Sequence, residues 1–192
     1  MKKIFLTLLT FTLFITSCDD TSNTLNSDDT SNDALDLENL GDLDMNEISF
    51  VPYGLNLAIL LPEVESSTGA SIEPEIIHED GDYLWYLNIG PQFQLVIEDF
   101  GKEKNKVKEE KEYLKGQANI FEFEYIIDEP TVMMYKRELH ENQGGKKSYH
   151  CYGEMSIDGY TFVLRTTADG SFKPVVSDMV TTIKSAKEIS KS

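Results

Sequence analysis

From Ser49 onward apolar and polar residues change places at every second position, the period of strands with one buried face. Tyr83, Trp85, Leu87 and Ile89 alternate with Leu84, Tyr86 and Asn88. Phe93, Leu95 and Ile97 alternate with Gln92, Gln94 and Glu98, and Gly90-Pro91 joins the two runs. The same alternation sets Phe121, Phe123 and Tyr125 against Glu122 and Glu124, and Tyr160, Phe162 and Leu164 against Thr161, Val163 and Arg165. These runs predict half-buried antiparallel strands. Asp158-Gly159, between 148–157 and 160–167, is the pair a two-residue type I′ hairpin favours, because both residues accept φ > 0. Asp80-Gly81 and Gly144-Gly145 predict two more turns.

Two segments follow the helical period instead. Lys102 to Lys115 has helix-forming composition and is followed by Gly116, a good C′ residue, but Phe100, Val107 and Leu114 give it only a narrow apolar stripe. A peripheral helix with a mostly wet surface is expected. Pro174 opens a stronger helix in which Val176, Met179, Val180 and Ile183 recur at helical spacing, so this one should dock on a face of the sheet. The predicted order is a short N-terminal strand or hairpin, a meander around Trp85, a polar helix, four strands and a C-terminal amphipathic helix. The class is α+β, a mainly antiparallel sheet flanked by helices.

Tyr53-Gly54-Leu55-Asn56-Leu57, the Asp158-Gly159-Tyr160 hairpin and the closing Met179-Val180-Thr181-Thr182-Ile183-Lys184-Ser185 resemble the Mog1/PsbP-like α/β/α sandwich over about residues 48–189. That resemblance implies accessory roles, as in photosystem assembly factors, a small-GTPase binder, secretion-system adaptors and lipoproteins. It supplies no catalytic residues.

The first segment changes the picture of where the chain works. Lys2 and Lys3, an apolar stretch from Ile4 to Ile15 and Ile15-Thr16-Ser17-Cys18 resemble a bacterial lipoprotein signal peptide, 1–17, with its lipobox. The resemblance implies that Cys18 is diacylated and becomes the mature N-terminus. A transmembrane helix is the rival, but about twelve apolar positions fall short of the ~20 that span a bilayer. With Cys18 lipidated, Cys151 has no partner for an intramolecular disulfide.

Residues 18–47 read as the lipidated cysteine and an acidic disordered linker, and 48–192 as one globular domain of about 145 residues. From Asp19 to Glu47 there is no Lys, Arg, aromatic residue or proline, and 10 of the 34 acidic residues lie there, so much of the net charge of −17 belongs to the tether. Asp19-Asp20 resembles the sorting signal of surface-exposed lipoproteins of the Bacteroidetes type, whereas in proteobacteria such an Asp favours inner-membrane retention. Lys outnumbers Arg 15 to 2, a usage compatible with an AT-rich genome that adds slight weight to the outer membrane.

Candidate chemistry is sparse. His78, His140 and His150 lack the partner spacing of a zinc site. His78-Glu79-Asp80-Gly81-Asp82 is the densest polar cluster, yet a turn accounts for it and the alternating oxygens of a calcium loop are missing, so no metal or cofactor is expected. His150-Cys151 looks like a base beside a nucleophile, but neighbours on a strand point to opposite faces, and Cys151 shares its face with Tyr149 and Met155. Glu122 and Glu124 would lie about 6.5 Å apart, near the carboxylate spacing of glycoside hydrolysis. They also fit a solvated sheet face opposite the aromatic stripe. No phosphate- or dinucleotide-binding motif occurs.

Two surfaces are candidate partner sites. Lys104, Lys108, Lys111 and Lys115 share one side of the first helix, where they could meet anionic lipid or an acidic partner, or simply be solvated. Leu84 and Tyr86 face away from Trp85; a second layer of the sandwich is expected to bury them, and without it they form an exposed platform. The reading that follows is a lipid-anchored, non-catalytic accessory or binding protein of the envelope, with the membrane and an envelope protein as partners and no nucleic acid. Alternatives are an envelope immunity or inhibitor protein, or a hydrolase using carboxylates or His78.

Overall fold

The alternating runs become a seven-stranded antiparallel sheet in a computed structural model that describes residues 45–64, 71–140 and 145–190. The strands are β1 (Met45–Ser49), β2 (Leu57–Pro62), β3 (Glu75–Ile77), β4 (Leu84–Ile89), β5 (Phe93–Asp99), β6 (Phe121–Asp128), β7 (Val132–Leu139), β8 (Ser148–Ile157), β9 (Tyr160–Thr166) and β10 (Lys187–Glu188). The helices are α1 (Lys106–Gly116) and α2 (Lys173–Ser185). The large sheet runs β3-β4-β5-β9-β8-β7-β6, and a small one runs β1-β2-β10. The fold is thus α+β, mainly antiparallel. The signal peptide, Cys18 and residues 18–44 of the expected linker lie outside the described residues. Gly144 does too, so the Gly144-Gly145 turn is described only at Gly145.

One face of the large sheet carries the main core. Trp85, Leu87, Ile89, Phe93, Leu95, Ile97, Leu164 and Met134 pack there with Leu57, Ile59 and Leu61 of β2. On that face α2 buries Val176, Met179, Val180 and Ile183, the four positions its spacing marks. Each contributes ~1.5–3 kcal/mol of transfer free energy. The contact is close: a Cβ added to Gly153 of β8 would lie 2.4 Å from Ile183 Cγ2, so only glycine lets the helix approach. Asp158 (φ 52°) and Gly159 (φ 80°) are both left-handed, as the type I′ hairpin requires.

The other face is covered by α1, where Val107 and Leu114 meet Met133, Tyr135, Tyr152 and Val163, with Phe100 and Phe123 alongside. Val107 and Leu114 are the buried apolar residues of this helix. Because α1 lies over β7, β8 and β9, the central strand β9 is buried on both faces, not half-buried as its alternation suggests.

Four boundaries differ from expectation. Met45, Asn46 and Glu47 are strand, not linker: Met45 pairs with Pro62, and Glu47 forms an ion pair with Lys187. Helix α1 starts at Lys106, not Lys102, because Gly101 (φ 61°) and Asn105 (φ 64°) turn left-handed and the Glu154 carboxylate, 47 positions away, accepts from Val107 N–H at 3.0 Å. Gly116 is the last helical residue, and Gln117 stands at the cap. Tyr83 does not join the buried stripe: its N–H donates to Asp82 Oδ1 at 2.7 Å in the turn before β4, and its side chain is 69% exposed.

Candidate functional site

Register across β9, β8 and β7 decides what meets under α1. Arg165 pairs with Tyr152, which pairs with Met133; His150 pairs with Tyr135, and Ser148 with Arg137. Directly opposed residues share a face, so both arginines of the chain, two tyrosines and a histidine stand on the α1 side. Helix α1 contributes Glu110 and Tyr113. Between helix and sheet is a cavity of ≈ 330 Å³ lined by Glu110, Tyr135, Arg137, His150, Tyr152 and Arg165 among others. Small-molecule sites begin at about this volume.

Burial sets the electrostatics of this cleft. The His150 ring stacks on Tyr135 (5.1 Å between centroids, 13° between planes), and its Nε2 lies 2.9 Å from Ser148 Oγ. Burial, aided by the positive charge of Arg137, pulls its pKa down to about 4, so the ring is neutral at pH 7. Its Cε1 and Nε2 atoms lie close to Gly170 (φ 69°), where an added Cβ would come within 2.6 Å of the ring. Burial also pushes the hydroxyls of Tyr135 and Tyr152 above their ordinary range, so both remain hydrogen-bond donors. The Glu110 carboxyl is raised by burial, against the pull of Arg165.

The two arginines differ in how they are held. Arg165 donates from Nη2 (3.0 Å) and Nε (3.3 Å) to the same oxygen of Glu98 on β5, a carboxylate that balances its charge. Arg137 donates from Nη2 to the Ala168 carbonyl at 2.9 Å, and its guanidinium lies 5.1 Å from the centre of the Phe121 ring. Among the described residues no carboxylate pairs with Arg137. The cleft therefore presents positive charge and hydroxyl donors to whatever enters it.

The residues singled out from sequence fall elsewhere. Cys151 points to the opposite face of β8, in the main core, and burial pushes its thiol up to about 12; it is a packed side chain, as strand parity implies. His78 stacks on Trp85 (4.4 Å, 9°) with Nδ1 2.8 Å from the Leu84 carbonyl, while Asp82 N–H donates to the Glu79 carbonyl, so the cluster is a turn braced on the core. Glu122 pairs with His140 (3.1 Å) and Glu124 with Lys136 (2.8 Å), each on an exposed edge strand. Among the described residues no group of three or more His, Cys, Asp or Glu side chains could hold a metal ion, and no helix is long and apolar enough to cross a membrane.

The lysines do not form one stripe. Lys104 precedes α1 in the turn, Lys111 pairs with Asp128 and also donates to the Glu129 carbonyl, and Lys115 pairs with Glu112 at 2.7 Å. Lys108 is exposed. Lys106, passed over in the sequence, is the buried one: Glu103 and Glu109 hold its ammonium over the Phe100 ring. Leu84 is half-buried and Tyr86 is 39% exposed. The expected burial of both is corrected here, because α1 covers the β7–β9 end of the sheet and leaves β4 without a second layer.

Sequence reasoning missed Arg137, Arg165, Tyr135, Tyr152 and Glu110. The available signal was that the chain's only two arginines occur in alternating strands; the strand order that brings them together is not written in either strand. No protein-family model matches the chain, and no curated protein or solved structure is a significant match to it.

Proposed function

We propose that this chain is a lipid-anchored, non-catalytic binding or accessory protein of the bacterial cell envelope that works through the α1 side of its sheet. Cys18 is the lipidated residue, the acidic segment after it is the tether, and the outer membrane, with the domain exposed at the cell surface, is the favoured location. The body is of the Mog1/PsbP-like α/β/α type, a reading supported by a helix on each face of an antiparallel sheet.

The observation that carries the binding role is the division of the chain's chemistry. The thiol is sealed in the core with its pKa pushed up to about 12, and His150, on the other face, is a neutral ring clamped by stacking. A nucleophile and its base must meet within hydrogen-bond reach, and these two are turned apart. What the cleft offers is donors, rings and one guanidinium that no carboxylate pairs with among the described residues, the means of recognition.

The test uses the full chain in its membrane. Cys18→Ala should move it out of the membrane fraction, and gentle extraction of the wild type should recover an envelope partner with no turnover. Unchanged fractionation with normal processing contradicts the anchor. Hydrolysis of a peptide or glycan that disappears on changing His78 or Glu122 replaces the binding role with an enzymatic one.

A further inference from the structure

The cleft under α1 has two chemically different ends. At one, Arg137 stands beside His150 and acts on its ring, while Tyr135, two positions before Arg137 on β7, feels the charge of Glu110 first and of Arg137 second. At the other, Arg165 stands near Glu110 and Tyr152, and its charge acts on both of those. Arg165 is already balanced by Glu98, so the positive charge left to a ligand is that of Arg137. Glu110 has no hydrogen-bonded partner among the described residues and is an acceptor in search of a donor.

We propose that this cleft binds a small organic carboxylate, its carboxylate on Arg137 and a hydroxyl or amino donor on Glu110. The ligand's flat or cyclic body lies along the rings of Tyr135 and Tyr152. The assignment deepens the binding role proposed above and rests on it.

Charge and shape narrow the class. A guanidinium presents a planar fork that matches a carboxylate, which the ammonium of a lysine does not; in a chain with 15 lysines, both arginines stand at this one cavity. One uncompensated positive charge suits a monoanion. A phosphate dianion would face the Glu110 carboxyl across the cleft with only Arg137 to balance it. His150 adds no charge near pH 7, so the anion end depends on Arg137 alone. Hydroxy acids, amino acids and sugar acids share the required pattern of a carboxylate at one end and a donor at the other. Aromatic side walls suit either an aromatic ring or the face of a sugar.

Calorimetry on the full chain in detergent tests this with para-hydroxyphenylacetate and D-glucuronate as acids. Para-hydroxyphenylacetamide and D-glucose are their uncharged counterparts. At least one acid should bind, its counterpart at least about tenfold more weakly, and Arg137→Gln should lower the affinity about 10- to 100-fold. Arg137→Lys, which keeps the charge and loses the fork, should recover only part of it, and it serves as the test variant if Arg137→Gln does not fold. Which acid binds tells an aromatic ligand from a sugar acid. The site assignment is overturned if neither acid binds at about 10 mM, if acid and counterpart bind alike, or if the folded Arg137 variants bind as the wild type does. Those results leave the capture of an envelope partner standing. An acid that binds and is recovered chemically changed upholds the site and overturns the non-catalytic role.

Discussion

The two faces of the large sheet are built from the same strands and have opposite characters. Toward α2 and β2 the positions are apolar and almost without polar atoms, with Gly153 stripped of a side chain so that Ile183 can reach the sheet. Toward α1 the same strands carry Arg137, Tyr135, His150, Tyr152 and Arg165, and Val107 and Leu114 are the buried apolar residues of the helix above them. Close packing leaves no room for a ligand and makes a buried polar group without a partner costly; among the described residues Thr182 Oγ1 on α2 is such a group. A helix held by a narrow stripe leaves room for a ligand and for polar groups. In the role proposed above, one face serves stability and the other recognition.

That contrast can be broken by pH. His150 has its pKa depressed from near 6.5 to about 4 in the folded chain, so the unfolded chain takes up the proton first as pH falls. The stability from holding the ring neutral is complete above about pH 6.5 and is lost as pH falls toward 4, by roughly 3 kcal/mol at 1.36 kcal/mol per pKa unit. Denaturant melts at pH 7 and pH 4 should show this loss in the wild type, and His150→Phe should remove that part of it. An identical pH dependence in the variant would place the acid sensitivity elsewhere.

On the opposite face, Gly153→Ala should cost about 2 kcal/mol, because the added methyl overlaps Ile183 and α2 must shift. A melting curve unchanged by this substitution would mean that the helix does not sit close to β8. Cys151→Ser should cost about 1.5 kcal/mol by placing a hydroxyl in the core, with ligand binding unchanged. The native thiol should also resist a disulfide reagent until denaturant is added. Smallest of all, Tyr113→Ser at the rim of the cleft, where the side chain is 60% exposed, should change stability by less than ~0.5 kcal/mol. Its effect should appear in binding instead.

The apolar face was legible in the sequence and the cleft was not, for physical reasons. Val176, Met179, Val180 and Ile183 declare their helix by spacing alone, Asp158-Gly159 declares its turn by backbone preference, and Cys151 follows from strand parity. Each is a local signal. Arg137 and Arg165 meet only because β8 lies between β7 and β9, a pairing among distant segments. The start of α1 depends on Glu154 reaching Val107 from β8, and the exposure of Tyr86 depends on which end of the sheet α1 covers. Neither is encoded near the residue concerned. Lys104, Lys108, Lys111 and Lys115, spaced four, three and four apart, share one helix face only if all four are helical, and Lys104 is not.

Site-specific photo-crosslinking in intact cells tests the division between the faces most directly. A photoreactive residue replaces Tyr113, on α1 at the cleft, or Phe172, 64% exposed at the start of α2. The account predicts a discrete adduct with an envelope component from position 113 and none from position 172. An adduct from position 172 alone would contradict it.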